Sequence, residues 1–104
     1  MSEHNLTLRR TVIGGDLLKN DYCVWCEERL IGRIKFSEGK TAQVPGWSWF
    51  INVPLPIPDW GNGSSETLEG AMAGFRTAWE RFYDGLTPER IQHWHEIQDA
   101  RKGR

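Results

Sequence analysis

The stretch TLEGAMAGFRTAWERFYDG, from Thr67 to Gly85, most constrains what this chain can fold into. Its apolar residues recur at steps of three and four, so that at about 100° per residue they lie on one side of a helix. These residues are Leu68, Ala71, Met72, Phe75, Ala78, Trp79 and Phe82. The pattern predicts one long helix whose apolar stripe covers a sheet.

Both ends of this stretch carry residues that are typical of helix termini. The Thr67 hydroxyl can accept a hydrogen bond from the first turn, and Glu69 places negative charge near the positive end of the helix dipole. Gly85 suits the left-handed position that follows many helices. We therefore expect the helix to begin after Thr67 and to end before Gly85.

Three small residues, Ala71, Gly74 and Ala78, form a ridge along the edge of the stripe. A residue with little or no side chain lets another backbone come close. The larger side chains suffice to cover a sheet, so we expect the ridge to receive a C-terminal helix or a second subunit. The ridge is therefore a candidate interaction surface.

Four segments before the helix alternate apolar and polar residues, as half-buried strands do. They are residues 6–13, 22–27, 30–36 and 47–53. In the last, WSWFINV, we expect Trp47 and Trp49 to pack against Phe75, Trp79 and Phe82 of the helix. The predicted fold is α+β, an antiparallel meander of about four strands covered on one face by the long helix, with a C-terminal helix.

The connections between these strands carry turn and bulge signals. Gly14 and Gly15 predict a turn, after which Leu17 and Leu18 are expected to pack locally. Gly32 marks a bulge or a close approach of another group. Alternation places Leu30 and Ile34 on one face of their strand and Ile31 on the other, and residues 37–46 form a polar loop.

The remaining segments are less regular. Residues 54–65, PLPIPDWGNGSS, predict a proline- and glycine-rich loop, in which Trp60 either folds back on the core or anchors a partner. Thr87 and Pro88 begin a second helix. Its apolar stripe is narrow, so we expect it to pack loosely or on a partner, with Trp94 as its main contact residue.

Length and charge limit the possible functions. A chain of 104 residues forms one domain, which we place at residues 6–100, with a disordered N-terminus at 1–5 and a flexible tail at 101–104. The net charge of −1 gives no basic footprint for nucleic acid. No apolar run approaches the ~20 residues that span a membrane, and the N-terminus lacks the apolar core of a signal peptide. We expect a cytoplasmic protein.

Cys23, Cys26, His93 and His95 form the one possible metal or redox set. A redox Cys-x-x-Cys motif needs its first thiol at a helix N-terminus, whereas these cysteines lie in a predicted strand. The histidines are two positions apart, about 200° around a helix, so their rings do not converge on one zinc ion. We therefore expect two packed thiols and neither metal nor cofactor.

The sequence contains no nucleophile beside a base and no glycine-rich phosphate loop. We therefore expect a non-enzymatic protein-interaction module. Its partner is either another protein or a second copy of the chain.

The segments DYCVWCEERLIGRIKF, WSWFINV and TLEGAMAGFRTAWERF resemble a family of small alphaproteobacterial proteins. That resemblance implies a conserved domain without an assigned role. A fainter similarity is to HicB-type antitoxin domains, which also run from a hairpin and third strand through a glycine-containing loop into a helix that opens T-L-E-x-A, here Thr67 to Ala71. It implies a regulator that binds a toxin or nucleic acid.

Overall fold

The computed structural model describes residues 5–36 and 46–102. They form a sheet of five antiparallel strands in the order β1-β2-β3-β4-β5, and two helices. The elements are β1 (Leu6–Ile13), β2 (Asp16–Cys26), β3 (Arg29–Phe36), β4 (Trp47–Ile51), β5 (Asn62–Ser65), α1 (Leu68–Asp84) and α2 (Pro88–Lys102). The predicted α+β class is confirmed, with one strand more than expected.

The first hairpin turns at Gly14 and Gly15, as predicted. Their φ angles of 60° and 87° lie in the left-handed region, which glycine adopts without steric cost. Because this turn joins two strands directly, Leu17 belongs to β2 and pairs with Val12. The expectation of a locally packed segment at Leu17 is therefore wrong.

The pairing of β2 with β3 changes register at Gly32. Val24 lies opposite Gly32, whereas Trp25 lies opposite Leu30, so that Ile31 is an extra residue. Ile31 and Ile34 are both buried, although simple alternation placed them on opposite faces. The bulge explains the difference, since an inserted residue shifts the alternation of the strand.

The helix lies close to the sheet because glycine faces an aromatic ring at two places. A Cβ atom on Gly32 would overlap the Phe75 ring and would lie 2.5 Å from the Phe50 carbonyl oxygen. A Cβ atom on Gly74 would lie 2.9 Å from Trp49 Nε1. The Trp49 and Phe75 rings meet edge to face with centroids 6.0 Å apart, which confirms the predicted packing of Trp49 on the helix.

The ridge of Ala71, Gly74 and Ala78 faces the sheet. The two alanines are buried, and Gly74 lies against the Trp49 indole. The prediction that this ridge receives α2 or a second subunit is therefore wrong. The bulk of the indole is the reason, since it needs small residues opposite it on the helix.

Trp47 packs on the sheet itself. Its ring centroid lies 5.4 Å from that of Phe36 and 6.3 Å from that of Tyr22. Trp47 was expected to contact the aromatic residues of the helix, as Trp49 does. Trp47 lies two residues before Trp49 in β4, where its aromatic neighbours belong to β2 and β3.

The N-terminus of α1 has the predicted cap, whereas the residue that ends the helix adopts a different backbone conformation from the one expected. The Gly70 N–H donates to Thr67 Oγ1 at 3.0 Å, which confirms the N-cap. Gly85 has φ −86° and ψ −5°, so the expected left-handed conformation is not adopted.

Before the helix, residues 62–65 form β5 on the edge of β4, where a loop was predicted.

Helix α2 packs on α1 through one large residue. Trp94 is buried, and its ring meets Trp79 edge to face at 5.5 Å. Gln98 Nε2 also donates to the Leu30 carbonyl oxygen at 2.8 Å. The expectation of loose packing is therefore wrong, because a single tryptophan on a narrow stripe supplies a large contact area.

Several expectations concern residues outside the described ranges. They are the polar loop over residues 37–45, the N-terminal residues 1–4 and the last two residues of the tail. Arg101 and Lys102, which were assigned to the tail, belong to α2. Neither described helix is both long and apolar enough to cross a membrane.

Replacing Gly32 with alanine tests the close approach of helix and sheet. We expect Gly32→Ala to lower the free energy of unfolding by about 2 kcal/mol, since the Phe50 carbonyl cannot move away without disturbing β4. The control is Gly85→Ala, where a Cβ atom would be 3.6 Å from its nearest neighbour. Urea unfolding should show a change below about 1 kcal/mol for this control.

Candidate functional site

Helix α1 covers only part of the inner face of the sheet. It packs on β4 and β5 and reaches β3 through Phe75. The inner side of β1 and β2 is left partly open beside the helix. This opening, here called the β1–α1 groove, has a volume of about 310 Å³. It is lined by Leu6, Thr7, Leu8, Val24, Ile34, Met72, Phe75 and Arg76.

The register of the strands builds the apolar floor of this groove. Leu8 lies opposite Val24, which lies opposite Gly32, so these positions share the face that α1 packs on. Met72 belongs to the apolar stripe of α1 but is 42% exposed, because it extends over the open side. The groove is therefore an apolar surface that the chain itself only half covers.

Within residues 5–36 and 46–102, no strand pairs with the outer edge of β1, which runs along the groove. Asn5 lies opposite Glu27 in the register of β1 and β2, and its carbonyl oxygen accepts the Glu27 N–H at 3.2 Å. Bonded and non-bonded residues alternate along an antiparallel pair. The backbone N–H and C=O groups of Leu6, Leu8 and Arg10 therefore point away from β2 and towards the open edge.

A second and larger opening lies at the end of the sheet where β2 turns into β3. This end cleft has a volume of about 1130 Å³ and is bounded by that turn, the chain after β4 and helix α2. Arg29 spans it, since its guanidinium bonds to both Asp99 carboxylate oxygens at 3.1 and 3.3 Å. The ion pair attaches α2 to the sheet.

Two groups of the end cleft, His95 and Cys26, have pKa values shifted towards their neutral forms. Burial lowers the pKa of His95, and the nearby Arg29 lowers it further, against the opposite effect of Asp99. Burial also raises the pKa of Cys26, and the Glu27 carboxylate adds to this. At neutral pH the cleft thus holds a neutral imidazole and a protonated thiol, whereas a cysteine nucleophile needs a thiolate.

Two residues of the possible metal set, Cys26 and His95, line the end cleft, whereas Cys23 and His93 lie elsewhere. Cys23 lies 3.4 Å from Thr11 Oγ1, whereas Cys26 packs against the core. His93 is exposed on α2, and His95 lines the end cleft. Within residues 5–36 and 46–102, no three His, Cys, Asp or Glu side chains are placed to hold a metal ion.

The aromatic interaction candidates lie against the body of the protein. Trp60 packs on the core, and the Arg81 guanidinium lies 4.1 Å from its ring centroid. Trp94 is buried beneath α2. The β1–α1 groove was not predicted from the sequence. Two features did indicate it: Leu6 and Leu8 alternate on one face of β1, and Met72 widens the apolar stripe of α1 on the side of the groove.

The face of the sheet away from α1, here called the open face, carries a charged network. Arg33 donates two hydrogen bonds to the Asp21 carboxylate, at 2.7 and 2.6 Å, and Thr11 Oγ1 donates a third at 2.8 Å. The hydrogen bonds from Arg33 are the largest cause of the lowered pKa of Asp21. Such paired contacts are stronger than neutral ones and tie β1, β2 and β3 together.

No protein-family model, curated protein or solved structure matches this chain. The resemblances drawn from its sequence motifs therefore stay predictions.

The Asp21 network predicts a pH dependence of stability. In the unfolded chain the carboxyl titrates near 3.8, and in the fold its pKa is lower. Its contribution is therefore complete above the unfolded value and is lost as the pH falls through the folded value. We expect Asp21→Asn to lower the free energy of unfolding by about 2 kcal/mol at pH 7.

The difference between wild type and Asp21→Asn should shrink as the pH is lowered below 4. Urea unfolding at a series of pH values measures it. The control is Glu96→Gln, on the exposed face of α2. A difference that stays constant down to pH 2 would show that the charge of Asp21 does not stabilise the fold.

Proposed function

We propose that this protein is an interaction module that captures an extended segment of a partner protein along β1. The observation that carries the proposal is the β1–α1 groove, an apolar opening beside an edge of β1 with which no strand of the described part of the chain pairs. Adding a strand to a sheet edge gives affinity through main-chain hydrogen bonds, and pockets for alternate side chains give specificity.

The geometry of β1 suits this mode of binding. The backbone groups of Leu6, Leu8 and Arg10 offer donors and acceptors at every second position of the open edge. Side chains of an added strand also alternate between the two faces. Those on the inner face would enter the groove between Leu8 and Met72, where they bury apolar surface of both molecules.

The size of the groove favours a strand over a helix as the bound segment. At about 310 Å³ it lies at the lower end of ligand-binding pockets and accommodates a few side chains. A strand brings only alternate side chains to it and satisfies the backbone groups of the edge at the same time. A bound helix would leave those groups without protein partners.

Selection from a random-peptide display library tests this function with the intact chain. We expect binding peptides to be selected and to protect the amides of Leu6, Leu8 and Arg10 from hydrogen exchange. Protection confined to α1 would indicate a bound helix and would contradict strand addition. Failure to select any peptide would contradict the interaction function at this groove.

A matched pair of substitutions on α1 locates the binding site. Met72→Gln removes an apolar side chain from the groove, and we expect it to weaken binding of the selected peptide about tenfold. Ala73→Gln introduces the same side chain at the neighbouring exposed position, which does not line the groove. Equal affinities of the two variants, measured by fluorescence polarisation, would place the peptide elsewhere.

A regulator that binds nucleic acid is the second candidate, and the charge of the open face favours it. Arg9, Arg33 and Lys35 lie on this face, as does the acidic residue Asp21. Arg33 is paired with Asp21, which leaves Arg9 and Lys35 available to phosphates. The aromatic residues Trp25 and Phe50 are half-buried on the same face, as in sheets that bind single strands.

The salt dependence of oligonucleotide binding tests this second function. With two phosphate contacts, the logarithm of the binding constant should fall with the logarithm of salt concentration at a slope of about −1.4. Lys35→Gln should halve that slope. Absence of binding to single-stranded DNA or RNA at low salt would remove this candidate.

A further inference from the structure

We infer that the segment bound along β1 is acidic, and that the arginines of β1 prevent a second copy of this chain from occupying the same edge. The inference rests on the proposed function, because it names the partner of the β1–α1 groove. It concerns charge, whereas the proposal above concerns backbone pairing and apolar contact.

The charged residues of β1 and of the groove lining are arginines. Among the described residues that line the groove, Arg76 is the one that carries a charge, and the charged residues of β1 are Arg9 and Arg10. Arg76 pairs with Glu80 at 3.8 Å, but both side chains are nearly half exposed. Exposed pairs of this kind are weak.

Arg10 lies where its guanidinium can pair with an acidic side chain of an added strand. It follows Leu8 by two positions, so it lies on the inner face and its backbone points to the open edge. It is exposed, and no hydrogen bond or ion pair joins it to another residue of the described ranges. Arg9 points to the other face, where its guanidinium lies 4.6 Å from the Trp25 ring centroid.

The spacing of Leu6, Leu8 and Arg10 along β1 predicts the residue pattern of the partner segment. Apolar residues two positions apart would lie beside Leu6 and Leu8, and the residue two positions further would lie beside Arg10. A carboxylate at that third position pairs with the guanidinium. The expected pattern is apolar-x-apolar-x-acidic, in the direction set by parallel or antiparallel addition.

The same arginines oppose pairing between two copies of this chain. The two longest two-fold antiparallel registers of β1 are centred on Arg9 and on Arg10, and the first places the Arg9 side chains of both copies directly opposite each other. The register centred on Arg10 places the two Arg10 side chains directly opposite each other. Like charges directly opposite destabilise a strand pair, and charged residues on an edge are a common protection against such pairing.

Peptide variants test the choice of an acidic segment. The probe is a selected peptide with glutamate beside Arg10, compared with the same peptide carrying glutamine there. We expect the glutamate peptide to bind about fivefold more tightly at low salt, and we expect Arg10→Glu to reverse this preference. The control, Arg90→Glu on the exposed start of α2, should leave the preference unchanged.

The outcomes separate the inference from the proposed function. Peptides that bind in the groove with no preference between glutamate and glutamine would overturn the acidic partner and leave the interaction function standing. Failure of all peptides to bind would overturn both.

Sedimentation of the intact chain tests the exclusion of a second copy. We expect wild type to remain monomeric at concentrations where Arg9→Thr/Arg10→Thr forms dimers whose Leu6 and Leu8 amides are protected from exchange. A wild-type dimer with the same protection, or a double variant that stays monomeric throughout, would overturn the exclusion.

Discussion

The close contact of α1 with the sheet depends on two complementary pairs of glycine and aromatic ring. Phe75 of the helix lies over Gly32 of the sheet, and Trp49 of the sheet lies against Gly74 of the helix. Each ring occupies the space that a side chain would otherwise fill on the opposite element. Close-packed interiors tolerate little added volume, so these pairs determine both the distance and the lateral position of the helix.

That position explains the surfaces of the protein. A helix held over β3, β4 and β5 leaves the inner side of β1 and β2 partly open, and the β1–α1 groove is the result. The second helix does not close it, because Trp94 holds α2 against Trp79 and Arg29 holds it near the β2–β3 turn. A small domain with two helices thus retains an apolar opening beside an edge strand, which is the feature from which we infer its function.

Charge on this sheet is arranged differently on its two faces. On the open face the Asp21 carboxylate is held between Arg33 and Thr11, so its charge is used within the fold. On the inner face Arg10 has no such partner among the described residues and stands at the end of the groove. The first arrangement stabilises three strands, whereas the second is the basis of the acidic segment that we infer as the partner.

The elements that depend on local rules could be predicted from the sequence alone. Periodicity and the cap at Thr67 predicted α1, alternation predicted β1 to β4, and Gly14 and Gly15 predicted the first turn. These features depend on residues close together in the chain, so a pattern in the sequence is enough to find them.

How the elements meet could not be predicted from local patterns, because it depends on tertiary contacts. The bulge at Ile31, the pairing that makes residues 62–65 a strand, and the burial of the Ala71 ridge depend on partners distant in sequence. The groove depends on the same partners, since its walls come from β1, β2, β3 and α1. Register and lateral packing follow from the fit of side chains across elements, and no local pattern encodes that fit.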